Sequence, residues 1–448
     1  MNAATEYYLR EHAALKASLP GGKLDWLNTS RAQALSQLEQ RGFPTVRDED
    51  WKYTSIRPIE KRRFKFSQSA DDAVDAETLN RYLCKDMACH LLVFVDGHYS
   101  AKLSNTGKLP SGLKIKDLAT ALDEDNQLMQ DHLGSIADDS RNGFAAMNLA
   151  FMHSGALVTL DDNTQPDWPV HLMFLSSGKQ ADITSQSRIL ILAGRQAQAK
   201  IIESYIALEE AVYFNNITTE IKLDQGAHIE HFKVQKESLE AFHVATLQVE
   251  QQRDSTFTSH SVSMGAQLAR NDINCAMVDE GASCNLYGLY VTGGKQHADF
   301  HTRIDHAKPH CNSNEYYKGI LDGRSRAVFN GQVHVHRDAQ KSAAQQANKN
   351  LLLSRHAEVD TKPQLEIYAD DVTAAHGATV GQLDEDMLFY LRTRGISYDA
   401  AYALLVYGFA HDIIKKMSIE PLQQHLETLL VSRIPNADQF SDLIEGHH

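Results

Sequence analysis

From about residue 155 to residue 372 helical periodicity is absent, and this most constrains the fold open to the chain. Short alternating runs recur instead, each introduced by a turn rich in Gly, Asp or Ser. Gln225-Gly226-Ala227 precedes His228 to Val234, and Arg253-Asp254-Ser255 precedes Thr256 to Val262. Glu280-Gly281-Ala282 precedes Ser283 to Val291, and Asp322-Gly323-Arg324 precedes Ala327 to Val335. With Gly194, Gly226, Ser255, Gly281 and Gly323 as markers, the steps are roughly 26 to 42 residues, within the range of stacked repeats. The pattern suits a sandwich or a parallel β-helix. No hairpin dipeptide separates neighbouring runs, and the one Asn330-Gly331 falls inside a strand-like run, which favours the solenoid.

The flanks differ. Residues 1–150 are mixed. Ser30 is placed to cap a helix from Arg31 to Gln40, with Ala34, Leu35 and Leu38 on one face and Gly42 ending it. Leu91 to Val95 reads as a buried strand turned by Asp96-Gly97, and Ser67 to Asp75 as a loop. Residues 151–375 form the strand stack, and residues 376–448 read as helical. There Asp384 caps Glu385 to Thr393, with Met387, Leu388 and Leu391 at helical spacing, and Gly395 stops it. Ser397 starts a second helix, and a third spans Pro421 to Val431.

A net charge of -14, from 44 basic and 58 acidic residues, argues against general nucleic-acid binding. No apolar run reaches the length of a membrane span, and the N-terminal stretch has early charges and no apolar core. A cytoplasmic protein is expected. The five cysteines, Cys84, Cys89, Cys275, Cys284 and Cys311, are scattered and form no Cys-x-x-Cys pair, so reduced thiols are expected.

Among chemical motifs, the phosphate loop G-x-x-x-x-G-K-[ST] and the hydrolase elbow G-x-S-x-G are both absent. Imidazoles crowd the segment His297, His301, His306 and His310, followed by Cys311; His334 and His336 share one face of a strand. These donors suit zinc, iron or copper, yet no metal motif is spelled out, and polar strand and turn residues are the plainer reading. Asp370-Asp371 and Asp161-Asp162 read as solvated turns. His376 sits among small residues, Ala374-Ala375-His376-Gly377-Ala378-Thr379, at what reads as a strand-to-helix transition with room for a ligand or partner. Leu365 to Val372 reads as a strand edge able to pair with another chain, a homodimer included.

The run from Lys362 to Ile396, KPQLEIYADDV…HGATVG…LFYLRTRGI, closely resembles a C-terminal signature of the SufB/SufD family of iron–sulfur cluster assembly scaffolds, in its SufD branch. Gly42-Phe43-Pro44-Thr45-Val46-Arg47 with Trp51-Lys52-Tyr53-Thr54 resembles that family's N-terminal motif. Cys311-Asn312-Ser313 and Gly323 to Gly331 resemble its middle, and Asn350 to Ser354 the run before the signature. The resemblance implies a mainly β fold, a right-handed parallel β-helix flanked by N- and C-terminal helical domains. It implies a non-catalytic subunit that pairs with a SufB-like sister through the β-helix and holds a SufC-like ATPase on its C-terminal helices. Iron, or a nascent iron–sulfur cluster, would be handled transiently and shared with the sister, with sulfur brought by SufS and SufE or SufU. Carried over by position, His376 is the candidate iron or cluster ligand at the sister interface. Ala374 stands where some relatives have a cysteine. Leu365, Ile367, Tyr368 and Val372 would meet the sister, and Phe389, Tyr390, Arg392 and Arg394 the ATPase. A SufB-like paralogue carrying the cluster itself, and a His-ligated metalloenzyme on a β-helix, are the alternatives.

Overall fold

The computed structural model describes residues 3–67, 73–137 and 143–434. The N-terminal region holds α1 (Ala3–Leu15), α2 (Asp25–Arg41), α3 (Arg57–Glu60), β1 (Lys65–Phe66), α4 (Ala76–Asn80), β2 (His90–Val95), β3 (His98–Tyr99), β4 (Leu113–Asp117), α5 (Leu118–Glu124), α6 (Asn126–His132) and α7 (Gly143–Phe151). Then come β5 (Ser154–Leu160), β6 (Val170–Ser176), β7 (Ile183–Ala193), β8 (Gln198–Ala207), β9 (Tyr213–Leu223), β10 (His228–Lys236), β11 (Phe242–Gln251) and β12 (Thr256–Ser263). They continue as β13 (Leu268–Met277), β14 (Ser283–Thr292), β15 (His297–His306), β16 (Asn312–Leu321), β17 (Arg326–Val335), β18 (Ser342–Leu352), β19 (Glu358–Ile367) and β20 (Val372–Gly381). The described chain closes with α8 (Glu385–Thr393), α9 (Tyr398–Ile414) and α10 (Glu420–Val431). No helix among the described residues is long and apolar enough to cross a membrane.

From β5 onward the chain winds as a parallel β-solenoid. Odd strands stack into one sheet, β19-β17-β15-β13-β11-β9-β7-β5, and even strands into the other, β20-β18-β16-β14-β12-β10-β8-β6. Each strand pairs in parallel with the strand two later, about 30 residues on, as in His228 with Thr256 and Thr256 with Ser283. The expected runs at His228, Thr256, Ser283 and Ala327 are β10, β12, β14 and β17.

One corner repeats in every turn. Gln196, Gly226, Asp254, Gly281, His310 and Lys341 all have φ between 55° and 75°. The N–H of each donates to a carbonyl in the next turn, as Gly226 to Arg253, Asp254 to Glu280 and His310 to Gln340. The left-handed backbone re-aims the chain, and the ladder satisfies its polar groups across the bend. Gly323 belongs to another corner, stacked on Gly294 with Arg324 N–H bonded to the Gly294 carbonyl at 2.7 Å. The marker series therefore changes rows after Gly281, which accounts for its longest step.

Inside the coil the core runs from Leu160 and Val170 to Phe300, Tyr317 and Phe329. Tyr290 of β14 is in register with Gly319 of β16, and Gly288 with Tyr317. A Cβ on Gly319 would lie 2.1 Å from the Tyr290 ring, and one on Gly288 2.0 Å from the Tyr317 ring. Each tyrosine thus occupies the space its neighbour's glycine leaves.

The helices cover the outer faces. Leu27, Ala34, Leu38, Phe144 and Met147 pack with Leu190, Phe214 and Phe242 of the odd sheet. Buried Glu220 of β9 pairs with Arg188 at 2.8 Å and accepts from the backbone N–H of Gly134, Ile136 and Ala137. Helices α9 and α10 bury Val406, Ala410, Ile413, Leu422 and Leu426 on Phe232, Val262 and Leu289 of the even sheet. Lys318 Nζ holds Asp412 at 2.9 Å across that seam.

The first predicted helix starts earlier than Ser30. It is α2, and Ser30 lies inside it with its hydroxyl donating to the Trp26 carbonyl. Gly42 ends α2 at φ 67°, as its position suggests. The strand at Leu91 to Val95 is β2, wholly buried, and Asp96 and Gly97 turn it with positive φ. Asp384 and Ser397 cap α8 and α9 as read, but Met387 is exposed and only Leu388 of α8 is buried. The loop read from Ser67 to Asp75 lies partly outside the described residues.

Candidate functional site at the open end of the coil

The helix capped at Asp384 begins at Glu385 as read, nine residues beyond His376, which lies in the middle of β20 rather than at the strand's end. Strands β19 and β20 end the two sheets, so among the described residues each has one unpaired side. The Val372–Gly381 run, VTAAHGATVG, carries no Asp, Glu, Lys, Arg or Pro, and none of its ten residues is buried. Leu365 and Val372 are half-buried against Val333, Val335, Ala339 and Ala344, and form the floor of this end. Ile367, Tyr368 and Val380 are exposed by 39%, 60% and 48%. The four residues read as a sister-facing set therefore gather at one rim, two as floor and two as open surface.

His376 is exposed on the same face of β20 as Ala374, which packs on the floor. It is in register with Gln346 of β18, and Gln346 with Glu315 of β16. Gln346 Nε2 donates to Glu315 Oε2 at 2.6 Å, and both are buried. Burial pushes the Glu315 carboxyl up to about 7, against hydrogen bonds from Thr302 and Gln346. A polar column thus runs from an imidazole at the rim to an acid that holds its proton near neutrality. The imidazole can donate to a borderline metal, and the acid can take or release a proton. Sequence reading missed Glu315. Its signal is parity, since it alternates in phase with Tyr317 and Gly319 in a strand whose in-phase positions are buried.

The histidine-rich segment does not converge. His297 Nε2 is 2.8 Å from Thr54 Oγ1, and Thr54 hydrogen-bonds Asp299. His301 Nε2 is 3.1 Å and Arg270 Nη1 2.6 Å from the same carboxylate, with Arg270 stacked 4.1 Å over Trp51. Against its burial, Arg270 and His301 hold Asp299 well below the usual carboxylate range. These residues clamp the Trp51-Lys52-Tyr53-Thr54 motif to the coil. His306 is buried with Nε2 2.8 Å from Ser313 Oγ, and His310 is a corner residue. His334 and His336 do come together, with Asp305. The five cysteines are free, and burial pushes the Cys84 and Cys89 thiols up to about 12 and 11.

On α8, Met387, Phe389 and Tyr390 are exposed by 56%, 68% and 57%, beside exposed Tyr398 of α9. Arg394 Nη2 donates to the Tyr390 hydroxyl at 3.0 Å, and Arg392 is exposed on the same helix. The predicted docking residues are thus exposed aromatic and basic side chains on α8 and at its C-terminal end.

Two family models match the chain: the SufBD core domain of SUF-system iron–sulfur cluster assembly over residues 174–409, and the SufBD N-terminal region over residues 2–172. An iron–sulfur cluster assembly SufBD family protein of Synechocystis is 33% identical over 95% of both chains. The iron–sulfur cluster assembly protein SufD of Escherichia coli is 31% identical over 90% of this chain and 92% of its own. The chloroplastic protein ABCI7 of Arabidopsis thaliana is 27% identical over 90% of this chain and 84% of its own. A solenoid of this build, matched by both models along nearly its whole length, belongs to the SufBD family of iron–sulfur cluster assembly proteins.

Proposed function

We propose that the chain is a SufD-type scaffold subunit, without catalysis of its own, that pairs through β19 and β20 with a SufB-like sister. The observation that carries this reading is the edge of β20, which is unpaired among the described residues. Sheet edges are commonly blunted by lysine, proline or a covering element. Strand β19 carries Lys362 and Pro363, whereas β20 has neither and presents His376. Such an edge offers its backbone to a partner strand, and a second copy of this chain is the alternative occupant. His376 then lies at the seam, where the imidazole serves as a transient ligand for iron or a nascent cluster shared with the sister. Ala374 supplies no second donor, so the remaining ligands come from the sister. The exposed residues Phe389, Tyr390, Arg392 and Arg394 dock a SufC-like ATPase, and the subunit takes part in iron entry to a complex that works in the cytoplasm.

The test is co-purification with SufB-like and SufC-like partners, with iron and sulfide counted. His376→Ala is expected to leave the complex assembled and to lower cluster yield severalfold. A Phe389→Ala/Tyr390→Ala variant is expected to lose the ATPase and keep the sister. An unchanged yield in His376→Ala removes the ligand role, and failure to associate with either partner removes the scaffold reading.

A further inference from the structure

Asp305 of β15 and His334 of β17 are in register on the outer face of the odd sheet, and His336 comes two residues on, just past the strand. One ligand atom from each of the three lies within 4.8 Å of the others, and no other such group occurs among the described residues. His336 Nε2 is 3.4 Å from Asp305 Oδ1. Two ligands about 2.0–2.2 Å from one cation at the tetrahedral angle are separated by about 3.4 Å, so this pair is already spaced for coordination. The His334 and His336 rings lie 4.3 Å apart at 63°.

The surroundings also fit. Glu366, in register with His334 on β19, accepts from His334 Nδ1 at 3.0 Å. A carboxylate on the far nitrogen is the usual support of a metal-binding imidazole, because it fixes the tautomer and leaves the lone pair on Nε2. Arg303 donates from Nε to Asp305 Oδ2 at 2.7 Å and from Nη2 to Oδ1 at 2.9 Å. Coordination through Oδ1 displaces only the second of these bonds and leaves Oδ2 held by Nε. Gln332 Nε2 holds the other oxygen of Glu366 at 2.8 Å, and the Tyr368 ring is 5.2 Å from His334.

We propose that Asp305, His334 and His336 form a binding site for a divalent first-row transition cation, with the two-imidazole, one-carboxylate set that suits Fe(II), Co(II) or Zn(II). The site rests neither on His376 nor on the scaffold role. Its ligands come from adjacent turns of the coil, so the fold prepares it before any cation arrives.

The experiment titrates the full chain, stripped with a chelator, with Co(II) under anaerobic conditions. Visible absorption is monitored, and metal is counted after gel filtration. One equivalent with ligand-field bands is expected. His334→Ala and His336→Ala should each weaken binding about tenfold or more, and isosteric Asp305→Asn should also weaken it. Circular dichroism and thermal unfolding check that each variant folds. His376→Ala should bind as the parent does. The proposal is overturned by a parent chain that takes up no stoichiometric Co(II). It is equally overturned by a folded His334→Ala/His336→Ala variant that binds as tightly as the parent, or by loss of the bands in His376→Ala.

Discussion

The two ends of the solenoid are finished in opposite ways. At the first end, β2 and the short antiparallel β3 close the even sheet, antiparallel β4 closes the odd one, and all six residues of β2 are buried. Leu79 of α4 packs with Leu91, Val93, Met173 and Leu175 there. At the last end β20 has no buried residue, and among the described residues both sheets stop on an unpaired edge. The same repeating corner builds both, so the difference lies in the segments that flank the coil. The chain covers one end with its own segments, whereas helices α8 to α10 lie along the side of the even sheet and, among the described residues, leave the other end open. An uncovered edge is a liability for a protein alone and an asset for one that assembles.

The comparison can be broken at several points, and the largest effect is expected at Glu315. Its folded carboxyl is raised to about 7, so it favours the folded state below its unfolded value, and this contribution is lost as pH rises through 7. Glu315→Gln removes the buried charge and is expected to stabilise the chain by about 3 kcal/mol at pH 8 and by little at pH 5. Denaturant unfolding at the two pH values checks this. His153 and His171, at the covered end, have the opposite sign. Burial pushes both down to about 4, so their contribution is full above about 6.5 and is lost as pH falls towards 4. Burial pushes His306 of β15 down to about 4 as well, so acid should loosen both the covered end and the turn around His306, which hydrogen exchange at pH 5 against pH 7 would resolve.

Packing comes next. Gly319→Ala places a methyl against Tyr290 and Asn350 and is expected to cost about 1–3 kcal/mol in thermal or urea unfolding. Gly377→Ala at the open end meets nothing within 4 Å and should change stability by about 0.5 kcal/mol or less. Equal costs would mean that the last strand is as closely packed as the body. A smaller effect is expected for charges on the rim. Tyr368→Asp with Val380→Lys should leave unfolding unchanged and weaken association with the sister, or with a second copy, about tenfold, equivalent to about 1.4 kcal/mol. Analytical ultracentrifugation and pull-down read this directly.

Legibility in the sequence divides along the same line. Glycine and aspartate tolerate positive φ, so the turns at Gly226, Asp254-Ser255 and Gly281 are legible, whereas Gln196, His310 and Lys341 at the same corner carry no such signal. Caps at Asp384 and Ser397 are equally local, and α8 and α9 start there. Strand β9 was not visible, because its polar Asn215, Asn216, Thr218, Thr219 and Glu220 are buried between the coil interior and the N-terminal helices. Strand β20 was not visible for the converse reason. It buries nothing, so it shows no alternation, and small residues around His376 read as a junction. The small residues around His376 single it out, and only the resemblance of its surroundings assigns it iron or a cluster. Its column to Gln346 and Glu315, and the approach of Asp305 to His334, depend on register about 30 residues away, which no local pattern carries.

The open end is proposed above as the face that meets a partner. Amide hydrogen exchange of the chain alone and with the SufB-like sister tests it most directly. New protection is expected across residues 358–381, with the first end at residues 90–117 unchanged. Protection at the first end, with residues 358–381 exchanging as freely in the complex as alone, would contradict it.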